Sequence, residues 1–249
     1  MGVCFLTGAS SGIGRSLARR MARRGEAMAL VARRAALLES LVAEIEAEGG
    51  RALAMVCDVT DRVAVREAVA RAEALLGPTT CLVANAGGTE AGSFSAESFD
   101  ADVFAGLHAQ NVASAIYCIE AVLPGMLARG QGQLVAMSSL AGELGLPGAG
   151  GYSAAKAALT RMMESLRIEL RATGVDVTLV VPGFVRNKPG KKRGRPLVVE
   201  LEAATKKIDR AIVAHRPVLV FPRSLALVVR FARALPTRWR DALISRLAP

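Results

Sequence analysis

The chain is poor in the residues that mark metal-binding, disulfide-rich or base-stacking proteins. Aromatic residues make up only 4% of its 249 residues. It has two histidines and four cysteines, namely His108, His215, Cys4, Cys57, Cys81 and Cys118. None of these residues follows a metal-ligand or CxxC spacing, and single histidines are usually structural or solvated. We therefore expect no metal site, no disulfide, reduced thiols in the cytoplasm and no specific nucleic-acid partner.

Long apolar runs and targeting signals are also lacking. No uninterrupted apolar run approaches the roughly 18 residues that are needed to span a bilayer. The first residues, 1–7, run straight into a glycine-rich turn, without the basic region or cleavage site of a signal peptide. We predict a cytoplasmic protein, either free in solution or bound at the inner face of a membrane.

The length of the chain fits one large α/β domain over residues 1–249. Hydrophobic residues make up 52% of the chain, a share that is raised by alanine and is typical of a globular protein. The only linker-like stretch is at residues 187–196. Because little chain follows it, we interpret this stretch as a loop within the domain.

Basic residues outnumber acidic ones, and the formal net charge is +10. Most arginines are spread along the predicted helices, as expected for solvated faces. Two concentrations differ from this pattern, namely five cations within residues 188–195 and the arginines from Arg216 onward. Such a surplus of positive charge can attract nucleic acid, anionic lipid or an acidic substrate.

Short apolar runs alternate with segments of helical spacing. The runs predict strands at residues 3–7, 27–31, 52–57, 81–84, 133–137, 175–181 and 217–221. Helical spacing covers residues 13–24, 35–48, 61–76 and 151–172, and a long segment within 101–127 that we expect to bend at Pro124. Apolar strands separated by helices are typical of a parallel sheet that is covered on both faces. We predict an α/β fold with a doubly wound, mostly parallel seven-stranded sheet that binds ligands at its carboxyl edge.

A glycine-rich turn follows the first predicted strand and opens the first helix. Its sequence is Thr7-Gly8-Ala-Ser-Ser-Gly12-Ile-Gly14. Glycines allow tight turning and the close approach of a pyrophosphate, whose charge the helix N-terminus favours. A purely structural turn is the alternative. The order of strand, turn and helix favours a nucleotide site.

Tyr152 and Lys156 lie one turn apart on the same face of a predicted helix. A lysine cation in this position can stabilise phenolate and lower a pKa that normally sits near about 10, which makes tyrosine a general acid/base. Ser139, which follows a separate strand, can hydrogen-bond a carbonyl or alcohol oxygen beside the tyrosine. Taken alone, the pair would be interpreted as surface residues of an amphipathic helix, so its meaning depends on the other motifs.

Several motifs together resemble the short-chain dehydrogenase/reductase family. They are TGxxxGxG at residues 7–14, Asn85-Ala86-Gly87, Asn111, Ser139, Tyr152-x-x-x-Lys156 and Pro182-Gly183, and they cover residues 2–186 in order. The resemblance implies a Rossmann fold of one domain, with Tyr152 as the acid/base and Ser139 orienting the substrate oxygen. It also implies that Lys156 holds the nicotinamide ribose and tunes Tyr152, and that Asn111 supports a water-linked proton relay.

The same resemblance implies a site for a nicotinamide dinucleotide. The implied cofactor-binding residues are Gly8, Ser10, Ser11, Gly12, Ile13, Gly14, Arg33, Asp58, Val59, Asn85, Ala86, Gly87, Tyr152, Lys156, Pro182, Gly183 and Val185. Asp58 would contact the adenine amino group, unless it only caps the turn after the third strand. Asn85 would tie the fourth strand to the floor of the cofactor site, unless it is an ordinary turn residue.

The end of the second predicted strand favours NADP(H) over NAD. Family members that use NAD place an acid there, which binds the adenosine ribose and would repel a 2′-phosphate. In this chain Ala32 takes that place, and Arg33 can pair with phosphate. The alternative is that Arg33 and Arg34 are merely two solvated arginines at the start of a helix.

The chain departs from the family pattern after Pro182-Gly183. Relatives commonly carry a threonine there that contacts the nicotinamide amide, whereas this chain has Phe184-Val185-Arg186-Asn187. The side-chain amide of Asn187 is a candidate substitute. The family's substrate lid would fall near residues 187–205. Its cations would attract an anionic substrate, an acyl carrier protein or a membrane, or would only keep the loop solvated.

The C-terminal segment, residues 223–249, mixes apolar residues with arginines at helical spacing. This amphipathic character suits lipid headgroups, although packing on the protein's own core or on a partner subunit is the commoner explanation. The resemblance also predicts a homodimer or homotetramer that forms through the helices at 101–127 and 151–172.

These features predict an NADP(H)-dependent oxidoreductase that moves hydride between nicotinamide and a carbonyl or secondary alcohol. The expected substrate is hydrophobic or lipid-like. One alternative is a 3-oxoacyl-[acyl-carrier-protein] reductase, whose acidic carrier would meet the basic lid. An alternative of another class is a nucleotide-binding or membrane-surface protein without turnover, against which the intact Ser139, Tyr152 and Lys156 argue.

Overall fold

The structure is a computed structural model that describes residues 2–88, 99–186 and 197–247. The described residues form nine strands, β1 (Val3–Thr7), β2 (Ala27–Ala32), β3 (Arg51–Val56), β4 (Thr79–Ala84), β5 (Gly132–Met137), β6 (Val175–Pro182), β7 (Val185–Arg186), β8 (Val199–Glu200) and β9 (Val218–Phe221). Seven of them build one sheet in the order β3-β2-β1-β4-β5-β6-β9. Every neighbouring pair in this sheet is parallel. The predicted doubly wound, seven-stranded sheet is confirmed.

Helices cover both faces of the sheet. The described residues form α1 (Gly12–Arg23), α2 (Ala35–Ala47), α3 (Arg62–Leu76), α4 (Ala101–His108), α5 (Ser114–Arg129), α6 (Gly150–Glu169), α7 (Leu201–Val213), α8 (Arg223–Ala234) and α9 (Thr237–Leu247). The apolar stripes of α3, α5 and α6 pack on one face, and those of α1, α2 and α7 pack on the other. Because neither face meets water, β1 and β5 are buried along their whole length and are mostly apolar, with Thr7 and Gln133 as their buried polar residues.

The order of strands reverses beside β1. From β1 the chain builds outward through β2 to β3, and it then crosses back to add β4 on the other side of β1. The carboxyl ends of β1 and β4 therefore border the crevice at which doubly wound sheets bind ligands. This crevice receives the glycine-rich turn after β1 and the Asn85-Ala86-Gly87 segment after β4.

The long helix that we predicted within 101–127 is not regular. A π-helical segment, Ala109–Ala113, joins α4 to α5, and Pro124 lies inside α5 without ending it. By length and composition alone, the run Ala101–Arg129 could cross a membrane, contrary to our expectation that the chain holds no such segment. It packs on β4, β5, α3 and α6, which makes it a core helix of this fold.

Regular structure also replaces part of the predicted lid. β7 pairs in parallel with β8, with Val185 opposite Val199 and Arg186 opposite Glu200. The helix α7 follows directly, so residues 199–205 of the predicted lid belong to β8 and α7. The basic stretch 187–196, which includes Asn187, lies outside the described residues.

Candidate active site

The turn between β1 and α1 is a closely packed cradle. Gly8 and Gly12 have φ angles of +68° and +56°, a region that favours glycine. A Cβ on Gly14 would lie 2.3 Å from the carbonyl oxygen of Gly8 and 2.7 Å from Nδ2 of Asn85. The N-cap residue Ser11 makes no side-chain capping bond, so the first N–H groups of α1, including that of Ile13, keep their capacity to bind an anion.

Asn85 fastens the end of β4 to this cradle. Its Nδ2 donates to the carbonyl oxygens of Thr7 at 3.0 Å and Gly8 at 3.4 Å. The Thr7 hydroxyl accepts the backbone N–H groups of Asn85 at 3.0 Å and Ala86 at 2.9 Å. Asn85 and Ala86 therefore form the floor of the crevice together with Gly8.

At the end of β2, the guanidinium that reaches the cradle belongs to Arg34. Its Nη2 donates to Oγ of Ser10 at 2.7 Å and to Oγ of Ser11 at 2.9 Å. The Arg33 side chain is 68% exposed and lies 3.8 Å from Asp58. Successive side chains of an extended backbone point in opposite directions, which explains why Arg34 meets the cradle although we had assigned the phosphate contact to Arg33.

Asp58 closes the turn that follows β3. It accepts the backbone N–H of Thr60 at 3.0 Å and its hydroxyl at 2.8 Å. The bond from the Thr60 backbone holds the pKa of Asp58 below its ordinary value. The N-cap residue of α3 is Asp61 rather than Asp58. The second carboxylate oxygen of Asp58 faces the guanidinium of Arg33. The neighbouring Val59 is buried in the core.

Tyr152 and Ser139 meet beyond the carboxyl end of β5. Tyr152 lies in the first turn of α6, and its side chain hydrogen-bonds that of Ser139. The Ser139 Oγ accepts the N–H of Ala141 at 3.1 Å and donates to the carbonyl oxygen of Pro182 at 3.5 Å. The structure thus brings together two hydroxyl groups that can bind one substrate oxygen.

Lys156 is buried beside the tyrosine ring. Its Nζ donates to the carbonyl oxygen of Met137 at 2.8 Å and lies 5.7 Å from the centroid of the Tyr152 ring. The backbone carbonyl of Lys156 accepts the hydroxyl of Ser138 at 3.0 Å, and Ser138 also bonds the Thr160 hydroxyl at 2.7 Å. These bonds hold α6 against the end of β5.

Burial dominates the titration of this pair. It raises the pKa of Tyr152 above its ordinary value, and the hydrogen bond with Ser139 opposes that rise. It lowers the pKa of Lys156 to about 8. We expected Lys156 to lower the pKa of Tyr152, but its ammonium group is bonded to the Met137 carbonyl and the effect of burial prevails. At neutral pH the phenol therefore keeps its proton and is poised as an acid.

Asn111 lies in the π-helical segment and faces the lysine. Its Nδ2 donates to the carbonyl oxygens of Gly88 at 3.0 Å and Leu107 at 2.9 Å. Its Oδ1 is buried and has no partner among the described residues. A Cβ on Gly87 would lie 2.6 Å from this oxygen and 3.3 Å from the Lys156 Nζ. The absence of a side chain at Gly87 therefore leaves a small space that is bordered by the Asn111 Oδ1 and the Lys156 ammonium group.

A glycine cradle, a polar floor and a pair of hydroxyl groups thus share one crevice. Residues 2–195 match the family described as short chain dehydrogenase. The chain belongs to the short-chain dehydrogenase family. An uncharacterized oxidoreductase of Myxococcus xanthus is 39% identical over 245 residues, which are 98% of this chain and 96% of that protein.

Solved short-chain dehydrogenases share the fold. A metagenomic short-chain oxidoreductase in complex with NADP has a TM-score of 0.76 at 28% identity, over 88% of this chain and 96% of that one. A short-chain dehydrogenase/reductase of Burkholderia phymatum in complex with NAD has a TM-score of 0.83 at 22% identity, over 92% of each chain. Together with the family match, these likenesses identify this protein as an oxidoreductase of that family.

In this short-chain dehydrogenase, α8 packs beside the carboxyl end of β6. The N–H of Gly183, which follows β6, donates to the carbonyl oxygen of Phe221 at 2.7 Å. A Cβ on Gly183 would lie 2.8 Å from Cδ2 of Leu225 and 3.4 Å from Cδ1 of Leu140. Pro182 ends β6, and Val185 is buried in β7. Apolar side chains from α8 and from the segment after Ser139 therefore pack around Gly183 at the carboxyl end of β6.

A second contact joins α8 to the turn that follows Ser139. Ser139 opens a 3-10 turn, Leu140–Glu143, and Nη1 of Arg233 on α8 donates to Oε2 of Glu143 at 2.9 Å. Sequence analysis missed this pair, and it also missed Arg34 and Ser138. The position of Arg34 beside the predicted Arg33 was a usable signal, whereas no spacing rule connects residues 143 and 233.

The other candidate groups lie away from the crevice or are inert. No cluster of His, Cys, Asp or Glu that could hold a metal ion is found in the part of the chain that the structure describes. All four cysteines are buried thiols. Burial raises the pKa of Cys57 to about 11 and that of Cys118 to about 12. His215 pairs with Asp176 at 2.8 Å on the surface.

Proposed function

We propose that this short-chain dehydrogenase uses NADP(H) to reduce the carbonyl group of a hydrophobic substrate. The observation that carries the proposal is the meeting of the Tyr152 and Ser139 hydroxyl groups beside the buried Lys156, at the edge of the sheet where the glycine cradle lies. A buried phenol with a raised pKa is an acid that retains its proton until a substrate oxygen accepts it.

The cradle fits a nicotinamide dinucleotide. Side chains are excluded at Gly14 and Gly87 by contacts of 2.3 Å and 2.6 Å, so the backbone there can lie close to a ligand. The uncapped N-terminus of α1 favours the charge of a pyrophosphate. When bound, the cofactor supplies the hydride. The likeness to the metagenomic enzyme in complex with NADP supports this class of ligand.

Arg34 favours NADP(H) over NAD(H). The strand β2 ends at Ala32, so no acid occupies the position that would repel a 2′-phosphate. Among the residues that the structure describes, the Arg34 guanidinium is bonded only to the neutral hydroxyls of Ser10 and Ser11, and charge-assisted bonds to a phosphate would be stronger than these. A 2′-phosphate can therefore bind the Arg34 guanidinium by replacing these two hydroxyl groups, and it would not have to displace a carboxylate.

Proton transfer follows from the positions of three side chains. Tyr152 gives its proton to the carbonyl oxygen as the carbonyl carbon is reduced, and Ser139 donates a hydrogen bond to the same oxygen. The Lys156 ammonium, 5.7 Å from the ring centroid, stabilises the phenolate that remains. The free Oδ1 of Asn111 offers an acceptor to a water beside Lys156, through which solvent returns the proton.

The apolar side chains that pack beside Ser139 favour a hydrophobic substrate. Leu140 follows Ser139 directly, and Leu225 of α8 faces it across Gly183. Each Å² of apolar substrate surface that is buried against such side chains contributes about 25 cal/mol to binding. A lipid-like ketone or a 3-oxoacyl group has the required combination of one carbonyl and a long apolar chain.

A turnover assay tests the proposal. The purified protein is given ketones of increasing chain length and 3-oxoacyl thioesters, and the consumption of NADPH and of NADH is followed by absorbance. We expect turnover with NADPH to exceed turnover with NADH and to rise with chain length. Higher turnover with NADH would contradict the cofactor assignment, and turnover restricted to carrier-protein thioesters would identify a 3-oxoacyl reductase instead.

The variant Tyr152→Phe tests the assignment of the acid. Loss of a general acid lowers kcat by about 10³-fold, while NADPH binding, followed by its fluorescence, stays at the wild-type level. Wild-type turnover in this variant would show that another group donates the proton.

A further inference from the structure

The helices α8 and α9 present large apolar side chains to solvent. On α8, Leu227 is 66% exposed, Phe231 is 67% exposed and Val228 beside them is 53% exposed. On α9, Trp239 is 62% exposed. Soluble proteins rarely keep several large apolar side chains together at the surface unless that surface binds something.

This exposure is not the result of an unpacked helix. The inner face of α8 buries Ala226 and Ala232, and its Leu225 faces the Gly183 position. Leu227 and Phe231 are one turn apart and share the opposite face. One face of α8 therefore packs on the rest of the protein, and the opposite face is also apolar although it is exposed to solvent.

Positive charge surrounds the exposed apolar residues. Arg223 lies one turn before Leu227, Arg230 lies one turn after it, and Arg238 precedes Trp239. In residues 2–88, 99–186 and 197–247, no carboxylate forms an ion pair with any of these three arginines. The helix α8 contains no Asp or Glu, and the Asp241 of α9 pairs with Arg240 at 3.3 Å.

We propose that the outer face of α8 and α9, formed by Arg223, Leu227, Val228, Arg230, Phe231, Arg238 and Trp239, docks on an anionic membrane surface. Arginines reach lipid phosphates while leucine, phenylalanine and tryptophan enter the boundary between headgroups and acyl chains, which is how interfacial helices bind. A second copy of the chain fits this face less well, because a two-fold contact would place the same unpaired arginines against each other.

Docking would also bring the crevice to the lipid. Leu225, on the inner face of the same helix, packs at the Gly183 position beside the end of β6, where Leu140 follows Ser139. A hydrophobic substrate would then reach Ser139 and Tyr152 from the bilayer rather than from water. This part of the inference rests on the proposed function. The docking itself does not, and it can be measured without turnover.

Vesicle sedimentation tests the docking with the full chain. The protein is mixed with vesicles of phosphatidylcholine alone or of equal parts phosphatidylcholine and phosphatidylglycerol, and the bound fraction is measured against salt. We expect sedimentation with the anionic vesicles only. The double variant L227S/F231S should lower the partition coefficient by about tenfold or more, and R223Q/R230Q should lower it by about fivefold for each arginine that is removed.

The matched control is I168S/R171Q on and after α6, which also removes an exposed apolar residue and an exposed arginine. We expect it to bind vesicles like the wild type. Wild-type protein that stays in the supernatant with anionic vesicles would overturn the proposal, and so would an L227S/F231S variant that binds as the wild type does. Light scattering adds a third test, because a dimer that L227S/F231S converts to a monomer would show that this face is a subunit interface.

Turnover on a short, water-soluble ketone separates the two proposals. We expect L227S/F231S to keep wild-type turnover on it, because both side chains point away from the crevice. A protein that binds anionic vesicles but turns over no carbonyl compound would sink the proposed function and leave the docking intact. A protein that turns over the ketone but does not bind anionic vesicles would contradict the docking and leave the proposed function intact.

Discussion

Residues 2–186 and residues 197–247 border the same crevice, but they hold it in different ways. In the first region the packing is close: a Cβ on Gly14 would lie only 2.3 Å from the Gly8 carbonyl oxygen, and the buried Lys156 donates to the carbonyl of Met137 at 2.8 Å. The second region reaches the crevice through Leu225 and through the Arg233–Glu143 pair, while Leu227 and Phe231 face solvent. The family match ends at residue 195. The difference suggests that cofactor binding and proton transfer belong to the first region and substrate access to the second.

The largest expected effect comes from Gly14→Ala, which places a side chain inside the glycine cradle of the first region. The new methyl group would lie 2.3 Å from the Gly8 carbonyl oxygen and 2.7 Å from Asn85 Nδ2. The first atom belongs to the backbone, and the second is held by its hydrogen bonds to the carbonyl oxygens of Thr7 and Gly8. We expect the free energy of unfolding to fall by about 3 kcal/mol, with loss of NADPH binding. Urea denaturation and NADPH fluorescence measure both quantities.

Gly145→Ala is the control for this prediction, because a Cβ there meets nothing within 4 Å. We expect it to match the wild type in both measurements. A Gly14→Ala protein with wild-type stability and NADPH binding would show that the cradle is not rigid, and the contrast between the regions would fail.

Arg34→Gln should have the next largest effect, on cofactor selection. It removes the guanidinium that bonds Ser10 and Ser11, so we expect the KM for NADPH to rise about 10- to 100-fold while the KM for NADH stays constant. Arg33→Gln removes an exposed residue and should change the same KM by only about two- to threefold. Steady-state kinetics with both cofactors decide between them, and a larger effect at Arg33 would support the assignment made from the sequence.

The pH profile tests the burial of Lys156. Its pKa is lowered from 10.5 to about 8, so the ammonium form prevails below pH 8 and is lost above it. Because burial raises the pKa of Tyr152, the phenol keeps its proton across the same window. We expect kcat/KM for reduction to fall as pH rises through about 8. The variant Lys156→Arg carries a permanent charge, so its remaining kcat/KM should not fall in this pH range. If the variant shows the same fall in kcat/KM, the titration belongs to another group.

The smallest effect is expected in the second region, at the pair between α8 and the turn that follows Ser139. Glu143→Gln weakens a partly exposed ion pair that contributes about 1 kcal/mol or less, so we expect the KM for the carbonyl substrate to rise about two- to fivefold. The kcat and the KM for NADPH should not change. Glu164→Gln, which breaks the surface pair with Arg161 on α6, is the matched control. A fall in kcat like that of Tyr152→Phe would place α8 in the chemistry itself.

The sequence was sufficient to predict the features that depend on local spacing. The periodicity of apolar residues, together with the glycines and prolines between segments, predicted the seven strands of the sheet and the helices that connect them. The four-residue spacing placed Tyr152 and Lys156 on one helix face. The helix α7 carried the same signal, since Ala204, Ile208 and Ile212 are buried at helical spacing. It went unrecognised because the stretch had been assigned to a lid.

Other features depend on side-chain direction or on contacts between distant parts of the chain. Which of Arg33 and Arg34 faces the cradle is determined by the path of the backbone as it leaves β2. The Arg233–Glu143 pair joins residues 90 positions apart, and no spacing rule predicts it. The pKa of Tyr152 also depends on packing, because the carbonyl of Met137 engages the ammonium that was expected to act on the phenol.

The burial of all four thiols makes the protein a convenient scaffold for site-directed labelling. With the pKa of Cys57 raised to about 11 and that of Cys118 to about 12, these groups stay unreactive toward maleimides at neutral pH. A cysteine introduced at Phe231 would then be the preferred target for an environment-sensitive dye. The emission wavelength of the dye would report in real time whether the outer face of α8 lies in water or in an apolar environment. The native cysteines would stay unlabelled.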